Sequence, residues 1–534
     1  MQVNDGAMQS FALTLDKLLE HAAKWHPRAE VITGREDGRV DRTTYLDLYR
    51  RSHKVSVVLE SFGVRRGDHV ATLAWNTQAH VETWYAIMGM GAVCHTLNPR
   101  LIHAQLAAMV VQSGARVLVV SRDLVPLARQ IAEAARSIEH LLLIDDVDGS
   151  ALATGNAGAP GAYALEPLLA RAHGELTWGD FAETAPCGLC FTSGTTGAPK
   201  GVTYTHRSSF LHTLRLLQTD VMAISARDTV LTVVPMFHAN AWGLPFAAPA
   251  AGARLVLPGR RTDGAHLAAL INSEAVTVGV GIATVWLELV EHVETSGIEV
   301  ATLERVIVGG AALPPALMER IEKTLGVTVQ TSWGMTELSP SGTVSARDAS
   351  RSAHLSGKPA IGVDLLLTDA DGRALPEQRG VEGHLRVRGA SVIERYFGDE
   401  QNATDAHGWF PTGDLARIDA VGNLVITGRA KDLIKSGGEW INPVEIEAVV
   451  SALPEVSLAA VIGRPHLKWG ERPVLVVQTR GIEPITDEAL LAPLRGKVAP
   501  WWIPDEVIRV PRMHLSPTGK IDKVRLRLEY GIGS

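Results

Sequence analysis

The sequence predicts an α/β protein of more than one domain: a large N-terminal domain of helix-covered, mainly parallel sheets with a β-rich subdomain, then a small α+β C-terminal domain. Three observations predict this. The chain has 534 residues, well beyond the length at which a single core stops growing. Through its first part, short apolar runs alternate with helix-period stretches, the pattern of βα units in parallel sheets. After Glu337 come short strands joined by Asp-Gly and Gly-Asn turns, and roughly the last hundred residues return to mixed helix and strand.

In chain order, TTYLDLYRRSHKVSVVLESFG reads as a helix. Thr44 can cap it, Tyr45, Leu48, Val55, Val58 and Leu59 form its apolar stripe, and Gly63 and Gly67 close the segment. HVATLAW follows as a buried strand, then ARVLVVS as strand, LVPLARQIAEAARS as helix and HLLLID as strand. The Gly- and Ala-rich run from Gly149 to Pro167 reads as a surface loop. VDLLLTDADGRAL, EGHLRVRG and GNLVITGR read as hairpin strands. In the C-terminal part VEIEAVVSAL is a helix, VSLAAVIG and RPVLVVQTR are strands, ITDEALLAPLRGKVA is a helix, and a basic tail ends the chain. No internal repeat is present.

Composition excludes several classes of function. A net charge of −7 offers no basic face for nucleic acid. The three cysteines, Cys94, Cys187 and Cys190, are too few and too odd in number for a disulfide framework, which points to a reducing compartment. Cys187 and Cys190 spell C-x-x-C, but within the apolar run PCGLCFTSG they read as two small buried residues on a strand rather than a redox pair. The N-terminus lacks the basic-then-apolar order of a signal peptide, and no apolar run reaches the roughly 20 residues that span a bilayer. A cytoplasmic protein is expected.

FTSGTTGAPKGVTYTHRS, Phe191 to Ser208, is rich in glycine and hydroxyls around one lysine. It fails the nucleotide-triphosphatase pattern G-x-x-x-x-G-K-[ST], because Lys200 follows Pro199 and Gly201 stands where a magnesium-binding hydroxyl would be needed. Its composition still suits phosphate, since glycines let successive N–H groups turn toward an anion and hydroxyls add donors.

Three further stretches extend this. TSWGMTE (Thr331–Glu337) puts an aromatic, a hydroxyl and a carboxylate close together. PTGDLARIDAVGNLVITGRAKD (Pro411–Asp432) carries an acid and, further on, an arginine. SPTGKIDK (Ser516–Lys523) sets a lysine in a glycine-containing turn. In this order and spacing, from about Leu15 to Leu528, the four motifs resemble the adenylate-forming superfamily of acyl-CoA synthetases, luciferases and peptide-synthetase adenylation domains.

That resemblance implies an ATP-dependent ligase that activates a carboxylic acid as acyl-AMP and passes it to a thiol, with ATP, Mg²⁺ and coenzyme A as partners. By position, Thr192, Ser193, Gly194, Thr195, Thr196 and Lys200 would hold the β- and γ-phosphates. Thr336 would contact the α-phosphate and Glu337 would help bind Mg²⁺. Trp333 stands where the family stacks an aromatic on adenine, and Gly309, Gly310 and Ala311 where the chain runs along adenine and acyl pocket. Asp414 matches the acid that accepts the ribose hydroxyls, and Arg429 a second ribose or phosphate contact. Lys520 would carry the first chemical step by stabilising the anionic transition state. Lys523 reads as surface.

The same resemblance divides the chain into an adenylation domain, 1–428, a hinge, 429–433, centred on Lys431, and a C-terminal lid, 434–534, that rotates between the two half-reactions. Lys435, Gly437, Gly438 and Glu439 would then approach the coenzyme A thiol. Dimers are common among such enzymes, which admits a homodimer. His238 and Trp242, in VVPMFHANAWGLPF, would line the acyl pocket next to the carboxylate. With VGVGIATVWLEL they look most like bacterial medium-chain fatty acyl-CoA synthetases and 3-methylmercaptopropionyl-CoA ligases. One departure is Ala283, where relatives often have proline in V-P-T-x-W; its loss frees an N–H near the pocket. Transfer of the adenylate to a carrier protein, an aryl- or methylthio-alkanoate ligase, and a non-catalytic homologue are the alternatives. Retention of Lys200, Thr336, Glu337, Asp414, Arg429 and Lys520 argues against the last.

Overall fold

Runs of Val, Leu and Ile that bury both faces form the strands of two large sheets. The structure, a computed structural model, describes residues 8–145, 160–174, 176–192, 199–347, 351–480 and 485–531. One sheet orders Gly161–Ala164, His140–Leu143, Val117–Val120, His69–Leu73, Val93–Thr96 and Pro186–Phe191 in parallel, with Gly201–Thr205 added antiparallel at the edge. The other runs in parallel from Thr328–Gly334 through Arg305–Val308, Val278–Gly281, Thr229–Thr232 and Arg254–Leu257 to Glu30–Gly34. Antiparallel strands finish both of its edges. Helices cover these sheets. The helix Tyr45–Ser61 begins where expected, with the Thr44 side chain accepting the Asp47 N–H at 3.2 Å.

Past Glu337 the strands Val363–Thr368, Glu382–Gly389, Phe410–Ile418 and Leu424–Arg429 make an antiparallel sheet, as the turn pattern predicts. The chain then enters a separate sheet of Ile434–Ser436, Glu439–Ile441, Val456–His466, Gly470–Thr479 and Glu506–Arg509, packed by the helices Pro443–Val450 and Lys523–Tyr530. Among the described residues its two hydrophobic clusters contain none before Ile434. The unit therefore owns its cores.

Two sequence expectations need correction. The run Gly149–Pro167 is not all loop: Gly161–Ala164 pairs in parallel with His140–Leu143, and Leu165–Arg171 is a helix; residues 149–159 lie outside the described residues. The stretch ITDEALLAPLRGKVA is α-helical only over Asp487–Leu491 and tightens to a 3₁₀ turn at Ala492–Leu494, because Pro493 lacks an N–H and its ring opposes a preceding carbonyl. Cys94, Cys187 and Cys190 are free and buried on strands. Burial pushes the Cys190 thiol up to about 11 and Cys187 to about 12, which keeps both protonated and unreactive. Among the described residues no helix is long and apolar enough to cross a membrane.

Candidate active site

The site forms where the two large sheets, the β-rich subdomain and the C-terminal unit meet. At the neck of the Gly-rich loop, the Thr192 N–H donates to the Lys200 carbonyl at 2.9 Å, continuing the strand pair that precedes it. Ser193, Gly194, Thr195 and Thr196 lie outside the described residues. Lys200 sets its Nζ 4.6 Å from the centre of the Tyr396 ring, and the Tyr396 hydroxyl donates to Glu337 Oε1 at 2.9 Å. Tyr396 thus joins the loop lysine to the expected metal-binding acid.

Thr336 and Glu337 sit on a 3₁₀ turn, Thr336–Leu338, just past the strand that carries Trp333. The Thr336 carbonyl is fixed by the Tyr204 hydroxyl at 2.9 Å. Glu337 is buried, and burial raises its pKa against the pull of Tyr396, Arg429 and Lys200. A buried carboxylate with one oxygen turned to a tyrosine is a hard-oxygen donor that suits Mg²⁺ carried in on nucleotide phosphates.

Asp414 and Arg429 lie opposite each other in antiparallel register. Arg429 Nε stands 2.8 Å from Asp414 Oδ1, and the Trp333 Nε1–H donates to Asp414 Oδ2 at 2.9 Å. Asp414 is 3% exposed. Burial raises its pKa, opposed first by the Arg429 charge and then by the Trp333 bond. Trp333 is itself buried, its ring edge packed over Gly342, where a Cβ would come within 2.6 Å of Cζ3. The indole is therefore both a packing element and the positioner of Asp414.

Lys520 reaches into this group from the C-terminal unit. Its turn is closed by the Ser516 N–H donating to the Lys520 carbonyl at 2.6 Å and the Gly519 N–H donating to the Ser516 carbonyl at 2.8 Å. The side chain crosses to Gly310, with Cε 3.3 Å from where a Gly310 Cβ would be. Gly310 has φ +83°, so glycine meets both the backbone and the space requirement. Burial, and next the Arg429 charge, lower the Lys520 pKa to about 8, against the pull of Asp414 and Glu337.

On the acyl side, His238 ends a turn whose N–H donates to the Pro235 carbonyl at 2.9 Å. Ala239, Asn240, Ala241 and Trp242 then all adopt left-handed φ between 43° and 53°, and Gly243 follows at 78°. Left-handed L-residues cost about 1–2 kcal/mol each, so this strained turn is held by its surroundings. It drives the Trp242 ring against Gly309, where a Cβ would stand 2.9 Å from Cη2. Burial, then the charges of Lys520 and Arg100, push the His238 imidazole down to about 3, so it is neutral at neutral pH. Ala311, just past Gly310, is exposed. The missing proline matters little here: Ala283 is the first residue of the helix Ala283–Ser296, where an N–H has no partner within the helix in any case.

Lys431 is exposed on the 3₁₀ turn Ala430–Asp432 that joins the two units, and its neighbour Asp432 pairs with Arg527 at 2.6 Å. Lys435, Gly437, Gly438 and Glu439 are exposed on the next hairpin. Their bonds run within the C-terminal unit, from the Lys435 N–H to Glu471 at 2.9 Å and from the Gly437 N–H to the Trp469 carbonyl at 2.7 Å. Among the described residues the structure thus brings Lys200, Glu337, Trp333, Asp414, Arg429 and Lys520 together, with Gly309, Gly310, His238 and Trp242 beside them, and leaves the expected thiol-side residues outside that group. Lys523 is not a free surface charge; it pairs with Glu447 at 2.6 Å. Tyr396, Tyr204, Arg100 and Thr284 also reach the site and were missed, since no local pattern marks contacts that span from 59 to 417 residues.

The family model described as AMP-binding enzyme matches residues 19–397, and that of the AMP-binding enzyme C-terminal domain matches residues 445–520. The chain is 40% identical to a medium-chain-fatty-acid–CoA ligase of Ectopseudomonas oleovorans over 98% of this chain and 97% of that one. It is 38% identical to a 3-methylmercaptopropionyl-CoA ligase of Ruegeria lacuscaerulensis, over 98% of each. Among solved structures, ATP-bound MatB from Rhodopseudomonas palustris superposes with a TM-score of 0.82 at 25% identity, covering 97% of this chain and 99% of that one.

Proposed function

We propose that this chain, which belongs to the AMP-binding enzyme family, is an AMP-forming acid–CoA ligase acting on a medium-chain fatty acid or an acid of similar size. The observation that carries the chemistry is the reach of Lys520, from the C-terminal unit, to Gly310 within the field of Asp414, Glu337 and Arg429.

A carboxylate is a poor acyl donor because its leaving group would be oxide. Attack of the carboxylate oxygen on the α-phosphorus of ATP, with pyrophosphate leaving, makes AMP the leaving group for the later thiol. Lys520 supplies positive charge where the two anions meet, Thr336 orients the α-phosphate, and Lys200 with the Gly-rich loop holds the departing pyrophosphate. Asp414 accepts the ribose hydroxyls. Glu337 would hold Mg²⁺, which would supply positive charge to the phosphates. Neutral His238 flanks the carboxylate, and Trp242 with Gly309 bounds the acyl tail. The C-terminal unit then turns about Lys431 to bring Lys435, Gly437, Gly438 and Glu439 to the thiol of coenzyme A. Relatives 38–40% identical carry the names of ligases for medium-chain fatty acids, for 3-methylmercaptopropionate and for long-chain fatty acids, which supports an aliphatic acid. Cytoplasmic action fits substrates of this kind.

Pyrophosphate release, with coenzyme A absent and then present, tests this over acetate, octanoate, dodecanoate, methylmercaptopropionate, benzoate, phenylacetate and cinnamate. Turnover stimulated by coenzyme A on octanoate or methylmercaptopropionate, and lost in Lys520→Ala, is expected. Release that coenzyme A never accelerates would replace the ligase with an adenylate hand-off to a carrier.

A further inference from the structure

The turn that carries Lys520 is a closed unit. Besides its two backbone bonds, Ser516 Oγ and Thr518 Oγ1 lie 2.8 Å apart, and the Lys520 N–H donates to Ser516 Oγ at 3.3 Å. Two of its carbonyls, those of Pro517 and Gly519, are taken by donors of the N-terminal domain. Arg100 Nη1 donates to the Pro517 carbonyl at 3.1 Å, and Thr284 Oγ1 to the Gly519 carbonyl at 3.4 Å.

Neither donor belongs to the turn's own unit. Arg100 follows the strand Val93–Thr96, its backbone N–H bonded to Asn98 Oδ1 at 3.0 Å and its guanidinium 5.9 Å from the centre of the Phe237 ring, next to His238. Thr284 lies in the first turn of the helix Ala283–Ser296. Ile282, two residues before Thr284, presses on Gly519, which has φ +81° and no Cβ to resist the approach.

A lysine side chain has four carbons of freedom, and its charge acts on the reaction only when held in place. Fixing the backbone at Gly519, which is bonded to Lys520, and at Pro517, three residues before it, removes much of that freedom before substrate enters. We propose that Arg100 and Thr284 are positioning residues that seat the Ser516–Lys520 turn on the N-terminal domain and so place the Lys520 ammonium for acyl-adenylate formation. This rests on the role given to Lys520 above. The seat acts through Lys520 and touches neither nucleotide nor acid.

The test uses the full chain with Arg100→Ala, Arg100→Lys and Thr284→Val, each also in the Lys520→Ala background. With the best acid of the panel, Arg100→Ala is expected to lower kcat for pyrophosphate release 10- to 100-fold and Thr284→Val 3- to 10-fold. Arg100→Lys should recover part of the loss, and the KM for ATP should move less than 3-fold. In the Lys520→Ala background Arg100→Ala should add less than 2-fold, since the residue it positions is gone. A full multiplicative loss in that background, or a loss confined to the KM for ATP, overturns the proposal.

A second readout needs no substrate. Trypsin cuts after Lys520 only when that side chain leaves Gly310 to enter the protease, so the rate reports the unseated fraction. Arg100→Ala should speed cleavage there at least 5-fold, with the exposed turn at Arg373 unchanged. An unchanged rate at Lys520 overturns the seat whatever the kinetics. Were Lys520→Ala itself to leave pyrophosphate release intact, the reading of the reaction would fail, and trypsin alone would still decide whether Arg100 seats the turn.

Discussion

Arg429 and Trp333 hold the two oxygens of Asp414 from opposite sides, at 2.8 and 2.9 Å, in a region where Asp414 is buried. Each carboxylate oxygen keeps a second lone pair, so ribose hydroxyls can be accepted without displacing either donor. Bonds to a charged acceptor are worth about 1.5–3 kcal/mol each. Asp414→Ala is therefore expected to raise the KM for ATP about 10- to 100-fold, and Trp333→Phe, which frees one oxygen while keeping a ring over Gly342, by less. Steady-state kinetics with ATP varied decide it; an unchanged KM in Asp414→Ala would remove the acid from nucleotide binding.

Lys520 titrates inside the working range because burial and the Arg429 charge bring its pKa to about 8. The ammonium form exists below that value and is the form that stabilises anions. Pyrophosphate release is thus expected to fall as pH rises through about 8. Arg429→Gln removes the second cause of the shift and should carry this limb to higher pH; Asp414→Asn removes an opposing charge and should carry it lower. A single-turnover pH profile whose alkaline limb ignores both substitutions would detach it from Lys520. His238, already neutral with its pKa near 3, should contribute no limb near neutrality.

The C-terminal unit hides an ion pair that the sequence reads as surface. Lys523 meets Glu447 at 2.6 Å, with each side chain less than one-fifth exposed, and Glu447 also accepts the Val461 N–H at 2.6 Å. Burial raises the Glu447 pKa, and Lys523 is the first of the groups that oppose it. Breaking a fully buried pair costs about 3–5 kcal/mol, while exposed pairs are worth about 0–1 kcal/mol. Lys523→Ala should fall between, at about 2 kcal/mol. Urea unfolding of the variant should show an earlier transition, and Glu447→Gln combined with it should recover part of the loss; an unshifted curve would make the pair dispensable.

What was legible in the sequence was what is local. Glu337, Asp414, Arg429 and Lys520 each sit in a short motif whose glycines and hydroxyls fix the turn that presents them, and the structure brings all four together. Alternation of apolar runs likewise foretold the parallel sheets, because buried strands must be apolar on both faces. Arg100 and Thr284 were not legible, since their contacts span 417 and 235 residues and depend on how two units dock. Gly161–Ala164 failed for another reason. Three of its four residues are glycine or alanine, which carry little strand preference, and the open edge at His140–Leu143 decides their conformation.

Gly309 sets the sharpest test of the acyl side. Its φ is not left-handed, unlike that of Gly310, so alanine there is permitted by the backbone and the added methyl alone is measured. That methyl would stand 2.9 Å from Trp242 Cη2 and press on Ser332 Oγ, which donates to the Val308 carbonyl at 3.2 Å. The left-handed run from Ala239 to Gly243 fixes the Trp242 backbone, so the ring and not the chain must give way. Overpacking of this kind costs about 1–3 kcal/mol. The indole should yield by moving into the acyl space. Gly309→Ala is therefore expected to raise the KM for octanoate about 10-fold or more, shift preference toward acetate, and leave the KM for ATP nearly unchanged. Adding Trp242→Leu should restore longer acids, because the obstructing ring is gone. If instead the KM for ATP rises and octanoate is unaffected, Gly309 borders the nucleotide and not the acyl tail, and Trp242 loses its place as the wall of the pocket.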